Sequence, residues 1–84
     1  MDAKEWIIKW MADNSGVSEE EISKNSTANF FEKEYIDSFA FIMFIGEIEE
    51  VFGVTFDNEQ FEDRLFSTID GLAECIELNR KDRT

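Results

Sequence analysis

Apolar residues recur at helical spacing along most of the chain. Ala3, Trp6, Ile7, Trp10 and Met11 fall at i, i+3, i+4, i+7 and i+8, one face of an amphipathic helix. Asp2 offers that helix an N-cap, and Asn14-Ser15-Gly16 supplies its stop. Ser18-Glu19-Glu20-Glu21 has capping-box spacing, but the polar stretch Ser23 to Asn29 follows, so the pattern predicts only a short turn there. Residues 15–37 therefore read as a long connection pinned by Val17, Ile22, Phe30 and Phe31. Connections of this length in small domains often carry function. A second helix should start at Asp37-Ser38 and run to Phe52, with Gly53 as its stop. Asn58 to Asp63 predicts a short third helix. A last helix begins near Ser67 or Thr68, with Ile69, Leu72, Ala73 and Ile76 on one face. It ends at Asn79-Arg80-Lys81, where cations suit the helix dipole. No segment alternates cleanly with period two. The expected fold is all-α: a small four-helix bundle, three main helices and one short one, with a long first loop, residues 1–84 forming one domain.

The second helix is unusual because it is apolar on two sides. At about 100° per residue, Phe41, Phe44, Ile45, Ile48 and Phe52 form one wide stripe suited to the core. Phe39, Ile42, Met43 and Gly46 cluster on the opposite side, joined by Glu50 with Glu49 nearby. Two explanations compete. The helix is central and buried all round, or the second stripe is an exposed docking patch edged by acids. Gly46 favours the patch slightly. It costs about 1 kcal/mol in a helix interior and would let a partner approach closely. Packing inside the bundle could use the same gap.

Composition narrows the partners. The chain has 84 residues, so only an efficient core offsets its ordering entropy. With 43% hydrophobic residues and nine Phe, that core is available, and an acidic disordered tail is excluded. Twenty Asp and Glu against eight Lys and Arg leave a net charge of −12. Such a surface repels phosphate backbones and anionic lipid, and attracts basic protein surfaces. Nucleic acid and membrane insertion are therefore not expected. The longest apolar run, Phe39 to Ile45, falls far short of the ~20 residues that span a bilayer. There is no His, the commonest general base and zinc ligand. The single Cys75 reads as a partly buried, inert thiol, and the N-terminus does not read as a signal peptide, so the expectation is a cytoplasmic monomer. No metal site is expected: Glu19-Glu20-Glu21 and Asp57-Asn58-Glu59 lack calcium-loop spacing. Trp6 and Trp10 are core residues by spacing.

Ser38 heads the second helix, directly after Asp37 and before the patch. The plain reading is an N-cap, or a first-turn residue behind an Asp37 cap. No His, Lys or Cys adjoins it in sequence to activate it as a nucleophile. If it does chemistry, another enzyme must activate it, and no catalytic residue is expected in this chain. The string Phe31-Glu32-Lys33-Glu34-Tyr35-Ile36-Asp37-Ser38-Phe39, followed by an apolar helix ending Glu49-Glu50-Val51-Phe52-Gly53, resembles the acyl carrier protein family. The resemblance extends over essentially the whole chain.

That resemblance implies a four-helix fold with a long first loop, and an Asp-Ser-Leu motif opening the second helix. It implies 4′-phosphopantetheine, derived from coenzyme A, as the cofactor, attached through a phosphodiester to Ser38, with Asp37 contributing. The implied function is to carry an acyl or aminoacyl group as a thioester between enzymes of fatty-acid or secondary-metabolite biosynthesis. The implied partners are a phosphopantetheinyl transferase, an acyl- or aminoacyl-loading ligase or synthetase, and downstream transferases. Phe39, Ile42, Met43, Gly46, Glu49 and Glu50 would then be docking residues.

Three departures point to a specialised carrier. Phe39 replaces the usual Leu, and Ala40 and Met43 stand where fatty-acid carriers tend to have acids. The strings around Ser38 and from Phe61 to Thr68 are more similar to D-alanyl and related aminoacyl carriers. The competing class is an unmodified acidic interaction module that docks through its second helix.

Overall fold

The computed structural model describes residues 2–62 and 64–81. Among the described residues, five α-helices and a 3-10 turn follow one another: α1 (Ala3–Ser15), α2 (Glu19–Lys24), α3 (Ser38–Phe52), α4 (Asn58–Glu62), the 3-10 turn (Arg64–Ser67) and α5 (Ile69–Lys81). The predicted second helix is therefore α3 and the last is α5. Asp63, the expected end of the short helix, and the Lys81 side chain lie outside the described residues.

The caps explain most boundaries. The Asp2 carboxylate accepts from the Lys4 N–H at 2.9 Å, and Gly16 closes α1 at φ 79°. Gly53 ends α3 in the same left-handed conformation, φ 66°, which costs glycine little. The Thr68 hydroxyl accepts from the Gly71 N–H at 3.0 Å, so Thr68 opens α5.

One departure from the pattern is α2, a real helix where a turn was expected. Ser18 Oγ accepts from the Glu21 N–H at 3.2 Å, three glutamates occupy the first turn, and Lys24 lies in the last. Six residues would not hold a helix alone. Packing on α1 supplies the rest: Ile22 is fully buried, and Ile8, outside the expected face of α1, is buried as well.

The core gathers Ile7 and Met11 of α1, Phe30 of the connection, Phe44, Ile45 and Ile48 of α3, and Ile69, Leu72, Ala73 and Ile76 of α5. Trp6 and Trp10 are half-buried at its edge. Their rings lie 6.0 and 4.6 Å from that of Phe44, and Trp10 Nε1 donates to Glu47, tying α1 to α3. Cys75 is half-buried against the same core.

The connection after α2 is held by polar ties as well as by Phe30. The Ser26 hydroxyl donates to Asp70 at 3.1 Å, the Asp70 N–H donates to the Ser26 carbonyl at 3.0 Å, and Lys4 pairs with Asp70 at 2.9 Å. The Phe30 N–H donates to the Ser67 carbonyl at 2.9 Å beside an isolated Asn29–Thr68 bridge. These contacts fix where the chain enters α3.

Candidate functional site

The entry to α3 resolves the two readings of Ser38. Asp37 is the N-cap: its backbone is extended, and its Oδ1 accepts from the Ala40 N–H at 2.7 Å. Ser38 is thus the first helical residue, exposed, with its hydroxyl not required for the cap. Tyr35 and Ile36 are buried just upstream, so the backbone that presents Ser38 is anchored. The Tyr35 hydroxyl accepts from the Asn25 side-chain amide at 3.2 Å.

An open cleft of about 640 Å³ adjoins Ser38. Asn14 and Ser15 at the end of α1 form one wall; Phe31, Glu34 and Tyr35 of the connection form another. Glu34 adopts φ 60°, an uncommon conformation for a residue with a side chain. The pattern carried no signal of the cleft, because its walls meet only in three dimensions and Glu34 is not a residue that announces a left-handed turn.

The two stripes of α3 separate cleanly. Phe44, Ile45 and Ile48 are buried, with Phe41 and Phe52 half-buried against the core. Phe39, Ile42 and Met43 are 83%, 74% and 66% exposed. The helix is therefore not buried all round. Gly46 and Glu50 are exposed on the same side. A Cβ on Gly46 would meet nothing within 4 Å among the described residues, so their packing does not require this glycine. Glu49 stands apart. It is half-buried, and its carboxylate accepts from the Phe56 N–H at 3.4 Å, toward the loop after α3.

Comparison with known families decides the class. The model of the phosphopantetheine attachment site family matches residues 5–76, from α1 through most of α5. The chain belongs to that family. Members of the phosphopantetheine attachment family are carriers rather than catalysts, and they bear covalently attached 4′-phosphopantetheine. A carrier of this family interacts with a phosphopantetheinyl transferase and with biosynthetic enzymes. No curated protein and no solved structure matches the chain. Among the described residues, no helix of this carrier is long and apolar enough to cross a membrane.

The site fits the arm. A phosphodiester needs a hydroxyl that a transferase can reach, and Ser38 is exposed at a helix start with Asp37 covering the cap. The other described serines differ. Ser15 accepts from the Val17 N–H, Ser18 caps α2, and Ser26 is buried on Asp70. Ser23 is exposed within the short α2, and Ser67 is half-buried.

Proposed function

We propose that this carrier takes its 4′-phosphopantetheine on Ser38 and serves one dedicated pathway with an acyl or aminoacyl cargo. The observation that carries the assignment is the division of labour at the head of α3: Asp37 holds the cap while Ser38 is presented to solvent. In priming, Ser38 Oγ attacks the phosphorus of coenzyme A that bears pantetheine. A P–O bond of the pyrophosphate breaks, adenosine 3′,5′-bisphosphate leaves, and the transferase accepts the serine proton. The attached arm supplies a terminal thiol that holds cargo as a thioester. The chain itself positions the hydroxyl and presents the surface that enzymes recognise.

That surface is the outer side of α3. Phe39, Ile42 and Met43 give an apolar contact that starts directly after Ser38 and runs a little over one turn along α3, with Gly46 and Glu50 continuing that side. A net charge of −12 steers the domain toward basic enzyme surfaces, which speeds encounter more than it raises affinity. Complexes then form fast and part fast, as shuttling requires. The apolar Ala40 and Met43, in place of acids, support a partner with an apolar pocket, and with it a specialised rather than general fatty-acid role. Glu49, occupied at Phe56, is better placed to hold the following loop than to dock.

Intact-mass analysis after incubation with coenzyme A and a broad-specificity transferase tests the site. One phosphopantetheinyl group should add, and Ser38→Ala should take none. Attachment mapped to Ser15, Ser18, Ser23, Ser26 or Ser67 would refute it.

A further inference from the structure

The carrier reading leaves open whether the cargo rides outside the bundle or folds into it. An alkyl chain tethered beside Ser38 gains by leaving water, provided the protein offers it room. Beyond the open cleft beside Ser38, the interior it would have to enter is occupied by rings. Phe31 lines the cleft beside Ser38, and its ring lies 5.1 Å from that of Phe41, one turn into α3. Phe41 meets Phe30 at 5.9 Å and Phe66 at 6.1 Å. Phe66, 2% exposed, meets Phe56 at 5.1 Å and Phe61 at 4.9 Å, which carries the series across to α4. These are contact separations for packed aromatic rings. A chain entering here must displace a ring that is itself wedged between others, and close-packed interiors resist that. The open cleft itself is mixed in character: Asn14, Ser15, Glu34 and Asp37 line it together with Phe31, Tyr35 and Ile36, so it offers an alkyl chain no dry enclosure.

We propose that Phe41 and Phe66, with Phe31 at the mouth, close the bundle to its own cargo, so that this carrier holds a short or polar group in solvent rather than a long alkyl chain in its core. Phe41 and Phe66 are then specificity-determining residues. The proposal rests on attachment at Ser38.

Its test loads the apo protein with acetyl- or octanoyl-pantetheine from the corresponding coenzyme A thioesters and confirms each product by mass. In the wild type the acetyl and octanoyl forms should melt together and lose their thioesters to hydroxylamine at similar rates. In Phe41→Ala the octanoyl form alone should melt higher and resist hydroxylamine several-fold, because truncation opens room beside the arm. Phe66→Ala should do the same if it folds; Phe41, only half-buried, is the safer variant. A wild-type octanoyl form that melts more than about 4 °C above the acetyl form overturns the proposal. So does a Phe41→Ala protein that gives its octanoyl cargo no protection. Failure of the wild type to gain any mass is a separate result: it refutes attachment itself, and this inference with it.

Discussion

Met43 and Phe44 are neighbours in sequence and comparable in hydrophobicity, yet one is 66% exposed and the other fully buried. The same contrast divides all of α3. Phe44, Ile45 and Ile48 look into the bundle, and Phe39, Ile42 and Met43 look out. A helix apolar on two sides has no intrinsic preference for which side to bury. The choice here comes from its neighbours. Trp6 and Trp10 of α1 pack on Phe44, and Phe30 and Phe66 meet Phe41, while among the described residues the outer side is left exposed. Hydrophobicity thus set how much surface α3 could bury, and packing set which part remained for a partner.

Ile48→Glu should break the inner side most severely. A carboxylate with no partner in the core costs more than about 4 kcal/mol, so the variant should lose its cooperative denaturation transition. Phe44→Ala should cost about 3–5 kcal/mol in the same measurement, since both tryptophans lose a ring they contact. A native-like midpoint for either variant would erase the distinction between the two sides.

At the head of the helix the contrast sharpens to adjacent residues. Asp37→Ala should lower stability by about 1 kcal/mol through loss of the bond to the Ala40 N–H. Ser38→Ala should change stability by much less while abolishing attachment. If the serine variant proves the less stable one, Ser38 holds the cap and its assignment to the arm loses its structural support.

Gly46→Ala probes the outer side. A methyl there meets open solvent, so better helix propensity should stabilise the fold by up to about 1 kcal/mol. Slower loading of that more stable variant by the cognate enzyme would mean that the partner's backbone comes close at Gly46. Met43→Glu should have the smallest thermal effect, within about 0.5 kcal/mol, because the new charge stays in water. It should still slow loading markedly, since an enzyme pocket suited to Met43 would have to desolvate that charge. A Met43→Glu protein that melts as early as Ile48→Glu would show that α3 has no outer side.

Much of this was legible along the chain. The 3.6-residue spacing in α1, α3 and α5, and glycines where α1 and α3 end, are local properties, governed by backbone geometry within a few residues. So is the opening of α3 at Asp37-Ser38. Other features depended on contacts distant in sequence. The six residues of α2 form a helix because α1 covers Ile22, which the polar stretch after them concealed. Glu49 turned to the Phe56 N–H although its helical position put it near the outer stripe, because a loop seven residues on returned to meet it. Whether Asp37 or Ser38 caps α3 rested on one hydrogen bond that composition cannot choose, since both are good capping residues. The sequence by itself determined an acidic, helical domain with a serine at the head of an over-apolar helix. Only the tertiary structure decided which apolar side was buried, and it did so because burial belongs to pairs of surfaces that residues far apart in the chain must supply together.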